Sequence, residues 1–215
     1  MKKWTDRIET PIQAELICYD VNGIQIVFGV TEEKELKLFH FSRAPFDAEN
    51  LCRKPDNWWP MEGMREAQIK ESFQLVQVNF SGYNRPYEKH GNKYIVTAPG
   101  FMLKFDSISE ERNENGDVLR IVQKDTVTGA KVESVMQFFD GIPVARMYNT
   151  VTNEGKEDQT LEYISSFSYW GIEKEHKAGI PEFVSSDDKM SMVVVHNGWQ
   201  KELTGKKYRF ADLGM

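Results

Sequence analysis

The stretch "NWWPMEGMREA", Asn57 to Ala67, holds the residues best suited to gripping a ligand. Neighbouring positions on a strand face opposite sides, so Trp58 and Trp59 cannot both enter one core from a strand. Pro55 and Pro60 bound the pair, and one indole is expected to stand exposed in a loop. An exposed indole beside Arg, Glu and Asn suits a sugar, because the ring packs against the C–H side of a pyranose while polar groups bond its hydroxyls. This stretch is therefore a candidate sugar or subunit contact. The competing reading packs both rings under loop residues or a neighbouring sheet. Trp199 has the same two readings, since Gly198 before it permits a bulge that re-aims the next side chain.

Other chemistries find less support. Glycoside hydrolysis needs two carboxyl groups about 5–10 Å apart, and of 33 acidic residues Glu173 and Glu175, near Trp170, come closest. A charged surface loop explains them more simply. His40, His90, His176 and His196 lack metal spacing, neither Cys18 nor Cys52 has a Cys-x-x-Cys partner, and nothing links Cys52 to a base. These histidines read as solvated or satisfied structural groups. Phosphate loops, dinucleotide fingerprints and nucleophile elbows are missing from the sequence. No metal or cofactor is expected.

Charge and targeting signals narrow the partners. The net charge of −6 disfavours nucleic acid and anionic membrane, which need a concentrated positive field. Lys201, Lys206, Lys207 and Arg209 cluster near the end, but Glu202 among them fits a solvated hairpin better. Met1-Lys2-Lys3-Trp4 starts like a signal peptide, yet Thr5-Asp6-Arg7 replaces the apolar run such a peptide requires. No apolar stretch is long enough to span a bilayer as a helix. Two cysteines are too few for a disulfide scaffold, so reduced, buried thiols in a cytoplasmic protein are expected.

The elements that must position these residues read as strand after strand. Gly23 to Phe28 alternates with Ile24, Ile26 and Phe28 on one face, and Leu36 to Phe41 follows a charged turn. Further strands are predicted over Phe73 to Phe80, Phe101 to Phe105, Val118 to Val127, Lys131 to Phe138, Val144 to Val151 and Thr160 to Tyr169. Thr128-Gly129, Asp140-Gly141 and Asn153-Glu154-Gly155 separate the later ones, and such residues tolerate positive φ in hairpin turns. Val132, Met136 and Phe138 point one way while Lys131, Glu133 and Gln137 point the other, an antiparallel pattern with one wet face. Only Asp47 to Leu51 and Pro60 to Lys70 offer a helical turn or two. The fold class is all-β, a single two-sheet sandwich over residues 1–215. Arg146 is a candidate to pair across its sheet.

The second half of the chain resembles a known family. "FFDGIPVARMYNTVTNEGKEDQTLEYISSF" is similar to a segment of the bacterial α-galactosidases of glycoside hydrolase family 36, through Asp140, Val144, Arg146, Asn153 and Gly155. Leu119, Ile121, Asp125 and Gly129 resemble that family's preceding strand pair. Gly198, Trp199, Glu202 and Gly214 resemble a following Gly-x-Trp-x-x-Glu group. The likeness runs from about Leu119 to the end, and earlier residues match in strand pattern alone. It implies a large antiparallel β-supersandwich shaped like galactose mutarotase, with few short helices, preceding a (β/α)8 barrel that carries the catalytic aspartates of a retaining mechanism. It implies no catalytic residue here, and a role in homo-oligomer assembly and the substrate mouth. In oligomeric members a loop of this domain reaches a neighbouring active site. Trp59-Pro60 and Met64-Arg65 lie against that loop, although its turn is shortened and its Asp has no counterpart. Trp59, Arg65 and Trp58 are accordingly the expected substrate-binding residues. Two alternatives stand beside this one. A stand-alone carbohydrate-binding module would use Trp58, Trp59 and Trp199 as platforms. An aldose epimerase would need a His and a Glu such as His176 and Glu175 on either side of a sugar ring.

Overall fold

The computed structural model describes residues 1–9, 12–48, 51, 73–83, 98–169, 191–198 and 201–209. In chain order they form β1 (Lys2–Ile8), β2 (Ala14–Val21), β3 (Ile24–Val30), β4 (Leu36–Ser42) and β5 (Val78–Phe80). A short helix, α1 (Ala98–Met102), precedes β6 (Lys104–Asn113), β7 (Gly116–Lys124), β8 (Ala130–Phe138), β9 (Ala145–Asn153) and β10 (Leu161–Ile164). Last come β11 (Ser191–Gly198) and β12 (Lys201–Arg209). One compact unit holds β1 to β10 and a second holds β11 and β12. Among the described residues every strand pairing is antiparallel, and the protein is an all-β sandwich.

In the first unit, β1-β2-β3-β4 and β6-β7-β8-β9 are two four-stranded meanders, and β5 pairs with β10. Alternation explains how the meanders meet. Ile24, Ile26 and Phe28 of β3 share one core with Leu119 and Ile121 of β7 and with Met136 and Phe138 of β8. Burying each such side chain contributes roughly 1.5–3 kcal/mol. The first meander is buried on its other face too. There Leu16, Cys18, Val27 and Phe39 pack with Trp4, Phe46, Leu51 and Phe73. A third cluster joins Val78 and Phe80 of β5 to Leu103, Ala130 and Val132. Between β2 and β3 the two-residue turn Asn22-Gly23 has φ of 54° and 78°, the geometry that matches the twist of a tight hairpin.

Several predicted elements are resized. Strand is found at Val78–Phe80 rather than over Phe73 to Phe80, because Phe73 takes a φ of 64° that strand pairing cannot use. Phe101 to Phe105 was expected as strand. Ala98–Met102 is instead helical, and β6 starts at Lys104. Pro99 sits in the first turn of that helix, where its missing N–H costs nothing. Thr160 to Tyr169 shortens to Leu161–Ile164, broken by a register shift between Leu161 and Tyr163. The helical turn expected at Pro60 to Lys70 lies outside the described residues.

The described residues of the second unit form a β11–β12 hairpin running from Ser191 opposite Arg209 to Gly198 opposite Lys201. Its register breaks between His196 and Gly198, where a bulge was expected. Lys206 and Lys207 are exposed, and the Lys206 ammonium lies 4.7 Å from the centre of the Tyr208 ring.

Cys18 is a free thiol, 2% exposed. Burial, aided by the charge of Asp6, pushes the thiol up to about 11. Thiolate is the reactive form, so native Cys18 is expected to resist thiol reagents at pH 7.5. In a Cys52→Ser background, a chromogenic disulfide should label no thiol until denaturant is added. Labelling of the folded protein within minutes would contradict this burial.

Candidate functional site

Trp58, Trp59 and Arg65, the expected sugar contacts, lie outside the described residues, as do Trp199, Glu173, Glu175, His176, His90 and Cys52. His40 is 7% exposed, with Nε2 2.7 Å from the Ala44 carbonyl oxygen, a structural arrangement. Among the described residues no group of three or more His, Cys, Asp or Glu is placed to hold a metal ion.

The motif residues of the second half converge on turns. Asp125 is 4% exposed, and its carboxylate accepts the Val127 N–H at 2.9 Å, the Thr128 N–H at 3.0 Å and the Thr128 hydroxyl. Those bonds shape the β7–β8 turn, in which Gly129 takes a φ of 74°. The turn then docks on the next one. Glu154 N–H donates to the Gly129 carbonyl at 2.8 Å. Asn153 holds its own turn by accepting the Gly155 N–H at 2.9 Å and donating to the Glu157 carbonyl at 2.8 Å. Gly129 and Gly155 lie so close that a Cβ on Gly129 would collide with the Gly155 backbone. Asp140 pairs with Arg112, and its N–H donates to the Asn115 carbonyl at 3.0 Å. Buried Asp125 thus uses both carboxylate oxygens to shape its turn.

Register also builds an outward face on β6 to β9. Directly opposed residues in antiparallel strands share a face, which sets Glu111, Val118, Gln137 and Arg146 in one row and Arg120, Val135 and Tyr148 in the next. The two valines, 5% and 2% exposed, floor a hollow of about 220 Å³. Its walls are polar and mutually satisfied. Arg120 donates to both oxygens of Glu111, at 3.1 and 3.3 Å, and to Glu133. The hydrogen bond and charge of Arg120 hold the Glu111 carboxyl below its ordinary range, and Glu111 in turn raises Arg120. Arg112 bridges Asp140 and Asp117, and Asn113 donates to Gln137. Asp117 is lowered chiefly by the amino group of Met1, 2.8 Å away, and secondarily by Arg112.

Arg146 differs from these walls. It was a candidate to pair across the sheet. Gln137 stands opposite it, and among the described residues no carboxylate meets its guanidinium, which lies 5.9 Å from the centre of the Tyr148 ring. That distance falls within the reach of a cation–π contact. Tyr148 itself is 44% exposed. Sequence reasoning missed this hollow, although the polar-out positions Gln137 and Arg146 were its signal.

No protein-family model matches this chain, and no curated protein matches it.

Proposed function

We propose that this chain is the non-catalytic β-sandwich of a retaining α-galactosidase, supporting oligomer assembly and the substrate mouth, with hydrolysis carried out by a separate (β/α)8 barrel. The observation that carries this reading is the docked pair of turns. Asp125 and Gly129 on one side, and Asn153 and Gly155 on the other, are the residues through which the sequence resembles that family, and here they make one interlocked structure. In this reading Trp58, Trp59 and Arg65 serve the substrate mouth of a neighbouring subunit. The protein works in the cytoplasm, in keeping with the free thiol of Cys18, and its partners are α-galactosides, the barrel and further copies of itself. Among the described residues no helix is long and apolar enough to cross a membrane.

The test is hydrolysis of an aryl α-galactoside by the folded 215-residue chain alone. No turnover above background is expected, because the chemistry resides in the barrel. Clear turnover by the purified chain would overturn the assignment.

A further inference from the structure

We propose that β9 is the edge through which two copies of this chain join, strand against strand, about a two-fold axis at Asn149. The four strands β6 to β9 of each copy then form one continuous sheet. This gives a surface to the oligomer assembly named above but rests on β9 alone, so galactoside turnover by the chain would leave it standing. β9 ends the order β6-β7-β8-β9, so every second residue turns its N–H and C=O away from β8. Among the described residues no further strand and no turn hydrogen bond takes up those groups. Open edges invite pairing and are ordinarily guarded by charge, bulges or cover. The other long edges carry such guards. Four of the seven residues of β1 are charged. Five of the ten in β6 are charged, and its register with β7 shifts between Phe105 and Ser107. β4 is covered by Phe73, whose carbonyl accepts the Leu38 N–H at 2.7 Å. β9 has none of these guards. Arg146 is its one charge in nine residues, and no proline interrupts it. Its register with β8 runs unshifted from Ala130 opposite Asn153 to Phe138 opposite Ala145. Ile142 and Val144 just before it and Tyr148 within it are three of the seven large apolar side chains exposed among the described residues.

The sequence of β9 fits a second copy of itself. Directly opposed residues share a face. An axis at Asn149 sets Tyr148 opposite Thr150 of the second copy, an aromatic–β-branched pair on the outward face. Met147 then opposes Val151, an apolar pair on the inward face. Arg146 meets Thr152, and the two Arg146 side chains stand roughly 20 Å apart along the strands, so no like charges oppose one another. All nine residues overlap, which supplies about eight to ten backbone hydrogen bonds. A typical specific interface carries about that number.

Light scattering after gel filtration measures the mass of the whole chain in solution, and twice 24.9 kDa is expected. Tyr148→Lys/Thr150→Lys changes two exposed side chains and sets lysine opposite lysine at both pairs beside the axis, which is destabilising. That variant should run as one chain at the same concentration. Tyr148→Lys/Thr150→Glu sets lysine opposite glutamate instead and should run as two. Thr5→Lys, on the β1 edge, should leave the wild-type mass unchanged. If the double-lysine variant fails to fold, amide exchange in the wild type decides. The β9 amides that point away from β8 should then exchange about tenfold faster or more once dilution separates the copies. Any wild-type mass other than two chains overturns the proposal, and a mass of one chain would leave the edge to a strand of another protein. It is also overturned by a dimer that survives the double-lysine change, by a lysine–glutamate variant that runs as one chain, or by β9 amides that exchange equally fast before and after dilution.

Discussion

Gly129→Val is expected to lower the stability of the sandwich by about 4 kcal/mol. Two costs combine. Gly129 has a φ of 74°, and a β-branched residue in that region is strained by about 1–2 kcal/mol or more. The new Cβ would also strike the backbone of Gly155, and that backbone cannot retreat cheaply. Gly155 N–H is bound to Asn153 at 2.9 Å, and Glu154 N–H is bound to Gly129 at 2.8 Å. Relief would mean breaking hydrogen bonds, each contributing about 0.5–1.5 kcal/mol net. For a chain of this length, 1 kcal/mol corresponds to about 2–4 °C in Tm. Thermal unfolding of Gly129→Val should therefore begin many degrees below wild type, with Gly129→Ala intermediate. A midpoint within a degree or two of wild type would show that the two turns do not interlock.

Phe28→Ala is expected to cost about 3–5 kcal/mol. Phe28 is wholly buried in the main core and meets Tyr19 edge to face, with ring centres 6.4 Å apart. Its backbone lies between Ile17 of β2 and Leu38 of β4. Removing the ring opens a cavity in the core between the two meanders, which their paired strands cannot close without losing ladder hydrogen bonds. Urea denaturation measures the loss as a lowered midpoint at an unchanged slope. Phe28→Leu, which keeps most of the volume, should cost less than half as much. Equal costs for the two variants would mean that the ring fills no tightly packed space.

The two meanders were legible in unequal degree, and burial explains the difference. β7 and β8 have one dry face and one wet face, so Val132, Met136 and Phe138 against Lys131, Glu133 and Gln137 announce both strand and orientation. β2 packs on both faces, with Leu16 and Cys18 toward one cluster and Tyr19 and Val21 toward the other, and its alternation is blurred. β1 and β6 carry mostly exposed charged or polar residues. Their strand character comes from pairing with β2 and β7, a long-range cause that a local pattern does not reveal. Phe73 and Pro99 redirected two predicted strands through backbone conformation rather than hydropathy.

The candidate site shows the same division. Gly129, Asn153 and Gly155 stood out as turn residues, whereas Asp125 read as part of the strand Val118 to Val127; the structure ends that strand at Lys124 and joins the two turns into one device. The hollow beside Arg146 depends on which long side chains across three strands satisfy one another. Arg112, Arg120 and Arg146 look alike in the sequence, yet the first two are spent on carboxylates.

The central claim is that this sandwich holds sugar chemistry in place while a barrel performs it. Its most direct test is to read the gene through the codon for Met215 and beyond. An open frame continuing into several βα units, with an aspartate at the carboxyl end of a barrel strand, is the expected result. A stop codon immediately after Met215 would contradict the claim.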